Sequence, residues 1–306
     1  MSVQLNNPIA LATTGPYLWV LNSPDNGRAF LNELNIETGR QIQVLASSKY
    51  RLDSPDGMCV AAGDLWVSNQ GSSRLTVINA ASGSLIRVIG LGRYGSSEGP
   101  PVQVAGRVWV PIGNAVLELD PKTGVVTHVL RGSRYRFDKP EEIAGDSSHL
   151  FVLNAAGPSE IVELSTATAT VTRVIKLPDP GGNGAAQSLA TAPGSAWALL
   201  EGSITQEYSA ASGGLVRRLH LNPTSVYFAI DATDGFLWVA DEGNGWILQY
   251  AWVTGKLVRR IALGSYSSPE VLSANSKFVW AGSWTFDDID QISISTGRIV
   301  RQWASG

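Results

Sequence analysis

The 306-residue chain holds a single cysteine, three histidines and two methionines, and only 16% of its residues are charged. One cysteine excludes an intrachain disulfide. That residue, Cys59, lies in the apolar string Met58-Cys59-Val60-Ala61 with no histidine in its motif, and so reads as a small core residue rather than a catalytic thiol. The formal net charge is −3, and the arginines, which outnumber lysine, are scattered. The basic field that phosphates require is missing, so nucleic acid is not a partner. No apolar run reaches the roughly 20 residues needed to cross a bilayer, which argues against a membrane protein. Residues Met1 to Pro8 show neither a basic region nor a long apolar stretch, so no signal peptide is expected. A cytoplasmic location is the default expectation, with an excised domain of a larger or exported protein as the alternative.

What the chain does have is repetition. Trp19, Trp66, Trp109, Phe151, Trp197, Trp238 and Trp280 each sit between a hydrophobic and a small or β-branched residue, at successive gaps of 47, 43, 42, 46, 41 and 42. Thr-Gly or Ser-Gly pairs keep the same step at Gly39, Gly83, Gly124, Gly213, Gly255 and Gly297. Within one period, short β-branched runs alternate with Gly, Ser, Asn and Asp, the pattern of an antiparallel four-strand meander. A period of this length built from strands predicts an all-β, seven-bladed β-propeller of four-stranded antiparallel blades. One domain is expected over 1–306, with blades near 8–46, 54–91, 100–131, 140–177, 186–221, 227–263 and 269–304. The recurrent aromatic is expected to wedge between neighbouring blades. The glycine is expected to supply a positive φ in a tight turn. In the fourth blade Thr166-Ala167-Thr168-Ala169-Thr170 lacks that glycine, and a looser turn is expected there. How the ends meet stays open: Val3 and Leu5 either add to the last blade or contribute side-chain packing alone.

The strings Leu18-Trp19-Val20-Leu21-Asn22, Leu65-Trp66-Val67-Ser68-Asn69 and Leu150-Phe151-Val152-Leu153-Asn154 resemble the signature of YVTN-type propellers. Leu237-Trp238-Val239-Ala240-Asp241 is similar to the NHL-type variant. The resemblance spans nearly the whole chain and implies the propeller fold. It implies no single activity, because such repeats serve surface-layer, metal-associated and lactone-hydrolysing proteins alike. A lyase of this fold that uses histidine and glutamate with magnesium is not matched by His128, His149 or His220, which fall in outer strands or a turn.

Long, varied loops between second and third strands, together with the interblade links, share one face, and such loops are the usual seat of binding. The links repeat a tyrosine followed by a carboxylate. Tyr50, Tyr94, Tyr135 and Tyr266, with Tyr227 in a related place, supply rings. Asp56, Glu98, Glu141 or Glu142, and Glu270 supply acids, and Arg136 is one of several arginines beside the tyrosines. These groups would either recognise a polar organic ligand or a peptide, or pack the interblade seams. Asn22, Asn69, Asn154 and Asp241 close second strands, either as oxygen ligands of a divalent cation or as caps of their own loops. No other cofactor is predicted. Two loops stand apart: Asp241-Glu242-Gly243-Asn244-Gly245-Trp246, and Ser283-Trp284-Thr285-Phe286-Asp287-Asp288-Ile289-Asp290, with Trp284 and Phe286 beside three acids. The leading expectation is a non-catalytic module that binds a protein or small polar ligand. The alternative is a lyase or lactone hydrolase using Asp56, Glu141 and Glu270 as acid, base or metal ligands.

Overall fold

A computed structural model describes residues 3–97, 99–154, 159–178, 186–201, 203–264 and 267–305. Among them are seven four-stranded antiparallel sheets, each strand paired with its sequence neighbours. The fold is all-β, a seven-bladed β-propeller. No helix among the described residues is long and apolar enough to cross a membrane. Blade two shows the unit: Pro55–Ala61, Asp64–Asn69, Arg74–Asn79 and Leu85–Gly90. Its second and third strands are almost wholly buried, whereas the outermost is partly exposed along its length. Strands covered on both faces need apolar residues throughout, which is why the sequence runs Leu65-Trp66-Val67 without alternation.

The chain divides into two compact units. One comprises Met1–Ala46, Ser203–Gln206 and Arg217–Gly306, and the other Ser47–Gly202 with Glu207–Val216. In the second unit, Trp66 shares a core with Val108 and Val110 of the next blade, and Trp109 shares one with Leu150 and Val152. In the first, Trp238 packs with Val279 and Ile292, and Trp280 with Leu18 and Val20. Each of these four rings is thus the wedge that joins one sheet to its neighbour. Burying about 200 Å² of aromatic surface contributes roughly 5 kcal/mol per ring. Among the described residues the indole N–H groups of the wedge tryptophans Trp19, Trp66, Trp197, Trp238 and Trp280 have no acceptor, whereas that of Trp109 donates to the Val104 carbonyl at 3.2 Å. Bulk rather than polarity is what the position requires, so Phe151 fills it in blade four.

The first unit also joins the chain's two ends. Val3 and Leu5 are buried in a cluster with Trp280, Ile289 and Trp303, and neither lies in a strand. Side-chain packing, not an added strand, is what they contribute. Polar contacts reinforce it: Trp303 Nε1 donates to the Gly39 carbonyl at 2.9 Å, and Gln291 Nε2 to that of Ile36 at 3.2 Å.

The blade-four turn is not looser. Ala169 adopts φ 52° and donates its N–H to the Ser165 carbonyl at 2.8 Å. Gly213, at φ 71°, makes the same bond to Ser209 at 2.7 Å. The reason alanine is tolerated lies in the preceding blade. Outer-strand arginines reach over the next turn and donate to its carbonyls: Arg87 to Lys122 (3.0 Å), Arg173 to Ala211 (3.1 Å), Arg217 to Val253 (2.9 Å) and Arg301 to Glu37 (2.8 Å). Their stems occupy the space of a missing Cβ; at Gly213 a Cβ would lie 2.6 Å from Arg173 Cδ. The outer strand that precedes Ala169 carries His128 at that position, and its imidazole turns to Glu118 at 2.8 Å. No arginine stem crowds the Ala169 methyl.

Candidate functional site

Of the link tyrosines, two are structural. Tyr50 is buried, its hydroxyl donating to the Gly83 carbonyl at 2.7 Å while Thr76 Oγ1 donates to its carbonyl at 2.8 Å. Tyr135 is buried and stacked on Phe137 with centroids 5.6 Å apart, and Arg134 Nη2 donates to its hydroxyl at 2.9 Å. Tyr135 packs between blades three and four, in one cluster with Leu130, Val152 and Val162, and Tyr50 packs against blade two. Tyr94 is half-buried beneath Arg93, whose guanidinium lies 4.6 Å from the ring centroid. Arg136 is exposed and pairs with Glu160 at 3.0 Å. Tyr266 and Glu98 lie outside the described residues.

The strand-closing amides cap their loops. Asn22 Oδ1 accepts from the Asn6 N–H at 2.9 Å, Asn69 Oδ1 from Asp53 at 2.9 Å, and Asn154 Oδ1 from Asp138 at 3.2 Å. Each of these oxygens thus accepts one backbone N–H of its own loop. Among the described residues no three His, Cys, Asp or Glu side chains converge in a metal-holding group. Glu141 is tied to Lys139 in the second unit, and Asp56, also there, is half-buried. Its neighbour Glu142 is the more unusual acid. Burial pushes it up to about 8, although the Leu189 N–H donates to it at 2.7 Å. Burial likewise raises the Cys59 thiol to about 12, so at neutral pH it is no nucleophile.

The first unit gathers the remaining candidates. In blade seven, Glu270 is buried and accepts from the Trp284 N–H at 2.8 Å and from Thr285 Oγ1 at 3.1 Å. Its carboxyl fixes the start of the loop that displays Trp284 and Phe286, which are 40% and 42% exposed. Trp284 meets Phe228 edge-on at 5.6 Å. Glu242 accepts from Ser268 Oγ at 3.1 Å. Behind the loop, Asp288 and Asp290 share one face of the strand Asp288–Ser293. Burial, with Glu270 and Asp287 nearby, pushes Asp288 up to about 6. Asp290, fully buried beside Asp288, rises to about 7, and neither of its carboxyl oxygens has a hydrogen-bond partner. Burial also lifts Glu270 above the usual carboxylate range, with Glu242 adding to it. A wedge of desolvated acid thus stands beneath two displayed rings.

In blade six, Asp241 is buried and accepts from Ser225 Oγ and from the Asn244 N–H (3.2 Å) and Nδ2 (3.1 Å). Trp246 is half-buried under the Arg260 guanidinium, 5.7 Å from the ring. These residues line a cavity of about 260 Å³ together with His220, Leu221, Asn222, Tyr227, Leu248 and Tyr250. The sequence reading missed Tyr250, Leu248 and Arg260. The only signal of Leu248 and Tyr250 was the alternation Trp246, Leu248, Tyr250 on one strand face.

No protein-family model matches the chain, and no curated protein does. Solved structures do. Virginiamycin B lyase from Staphylococcus aureus, in a catalytically inactive form with quinupristin, is 13% identical over 94% of this chain and 95% of that one, with a TM-score of 0.77. Hydrazine synthase of Kuenenia stuttgartiensis is similar at 13% identity, over 96% and 97% of the two chains, with a TM-score of 0.76. BamB from Moraxella catarrhalis follows at 14% identity, 92% and 81% coverage, and a TM-score of 0.63. At such identities the likeness shows the fold, a β-propeller, and no more.

Proposed function

We propose that the chain is a non-catalytic propeller module, built from YVTN/NHL-type repeats, that presents the loops of blades six and seven to a protein or a small polar ligand. The observation that carries this reading is the pair Trp284 and Phe286, held in the open by a loop that Glu270 anchors from beneath. Large rings left exposed side by side on a rigid scaffold mark interaction surfaces. The neighbouring acids give the patch a negative field, so the matching surface is apolar with a positive charge. A protein of similar fold has been solved with quinupristin, which supports a ligand-binding reading of this chain.

The test compares immobilised wild type with Trp284→Ala/Phe286→Ala, both checked for an unchanged melting temperature. A species retained by wild type should be lost from the double variant, and its retention should weaken as salt rises. Equal retention by both proteins would remove this reading.

A further inference from the structure

The cavity in blade six lies where two other blades place a tyrosine. By their pairing with the second strand, Leu248 and Tyr250 are the counterparts of Thr76 and Ile78 in blade two, and of Val162 and Leu164 in blade four. Tyr50 sits against Thr76, and Tyr135 shares a buried cluster with Val162 and Leu164. Those tyrosines come from the links 46–54 and 132–139, nine and eight residues long. The link into blade six, 221–226, has six residues and no aromatic. With the shorter connection it is Tyr227, the first residue of the inner strand, that lines this place, and about 260 Å³ remains open beside it.

The lining says what would fill that space. Its floor, Leu248 and Tyr250, is apolar with one hydroxyl. One end holds the Asp241 carboxylate, whose Oδ2 accepts from Asn244 Nδ2 at 3.1 Å and has lone-pair capacity for a further donor. The other end holds the exposed Arg260 guanidinium, and His220 is also in the lining. Asp241 is on the second strand and Arg260 on the fourth, two interstrand steps apart and offset by two residues, or about 12 Å between α-carbons. Both charges lie near enough to the Tyr250 hydroxyl to act on it, in opposite senses. We propose that the cavity binds a small phenolic carboxylate, its ring over Leu248 and Tyr250, its hydroxyl donating to Asp241 and its carboxylate pairing with Arg260. Because this site does not rest on the blade-seven loop, either can fail without the other.

Titration calorimetry with 4-hydroxyphenylacetate, phenylacetate and tyramine tests it. Wild type should bind 4-hydroxyphenylacetate saturably, and the two analogues about tenfold more weakly, since each lacks one charge-assisted contact. Leu248→Trp should abolish binding by filling the cavity. Arg260→Glu, at an exposed position that leaves the fold intact, should reverse the preference toward tyramine. Trp284→Ala/Phe286→Ala should leave all of this unchanged. Absence of saturable binding to wild type, equal binding by folded Leu248→Trp, or an unaltered order in Arg260→Glu would each overturn the assignment.

Discussion

Replacing Gly213 with alanine probes how the blades are tied together. At φ 71° a Cβ meets the following carbonyl, a penalty of roughly 1–2 kcal/mol. The same Cβ would lie 2.6 Å from Arg173 Cδ, so the arginine must move. Moving it weakens the bond from Nη2 to the Ala211 carbonyl (3.1 Å) and the pairing of Nε with the buried Glu163 (3.1 Å). The hydrogen bond alone is worth about 1 kcal/mol, and disturbing the ion pair adds to that. Together the loss should be about 2–4 kcal/mol, a fall of several degrees in melting temperature. Urea denaturation of Gly213→Ala, Arg173→Ala and the double variant reads it directly. Without the arginine stem, the alanine should cost only its φ penalty, so the double variant should lose at least about 1 kcal/mol less than the sum of the singles. Ala169→Gly is the control. Relief of the positive φ and loss of one buried methyl offset each other there, so its effect should be within about 1 kcal/mol. Strict additivity, or a Gly213→Ala loss below about 0.5 kcal/mol, would refute the reasoning.

Two further outcomes follow from the core and the buried acids. Trp66→Ala should cost about 3–5 kcal/mol, but Trp66→Phe much less, because the indole N–H has no acceptor; equal losses in chemical denaturation would contradict the wedge. The acids of blade seven and Glu142 have folded-state values above their ordinary ones, so the fold favours their protonated forms. Their contribution is fully present below about pH 4 and lost as pH rises through about 6 for Asp288, 7 for Asp290 and 8 for Glu142. Asp290→Asn, which keeps the shape without the charge, should therefore gain a few kcal/mol at pH 8 and little at pH 4; a pH-independent effect would count against buried ionisation.

The architecture was legible because its marks are local: an aromatic residue every 41 to 47 positions and a Thr-Gly or Ser-Gly pair in six of the seven blades state the blade without any distant contact. What the repeats did not reveal was which way side chains face. Tyr50 and Tyr135 carry the composition of a binding ring, yet the next blade covers both, and no local pattern announces that cover. Ala169 looked like a defect because its compensation, His128 in place of arginine, lies one blade earlier. Glu141 and Glu142 are adjacent in sequence, but a single step along a strand puts one beside Lys139 and the other under the Leu189 N–H. The Trp284 loop could be read directly, since two aromatics among acids have no place in a core. The cavity could not, because its sequence mark is only the shortness of link 221–226.

The most direct measurement of the central claim is hydrogen exchange across the whole chain, with and without the partner retained through Trp284 and Phe286. The account predicts new protection concentrated at 241–246 and 283–288. Protection confined to the outer strands or to the Thr-Gly turns, with those two loops unchanged, would contradict it.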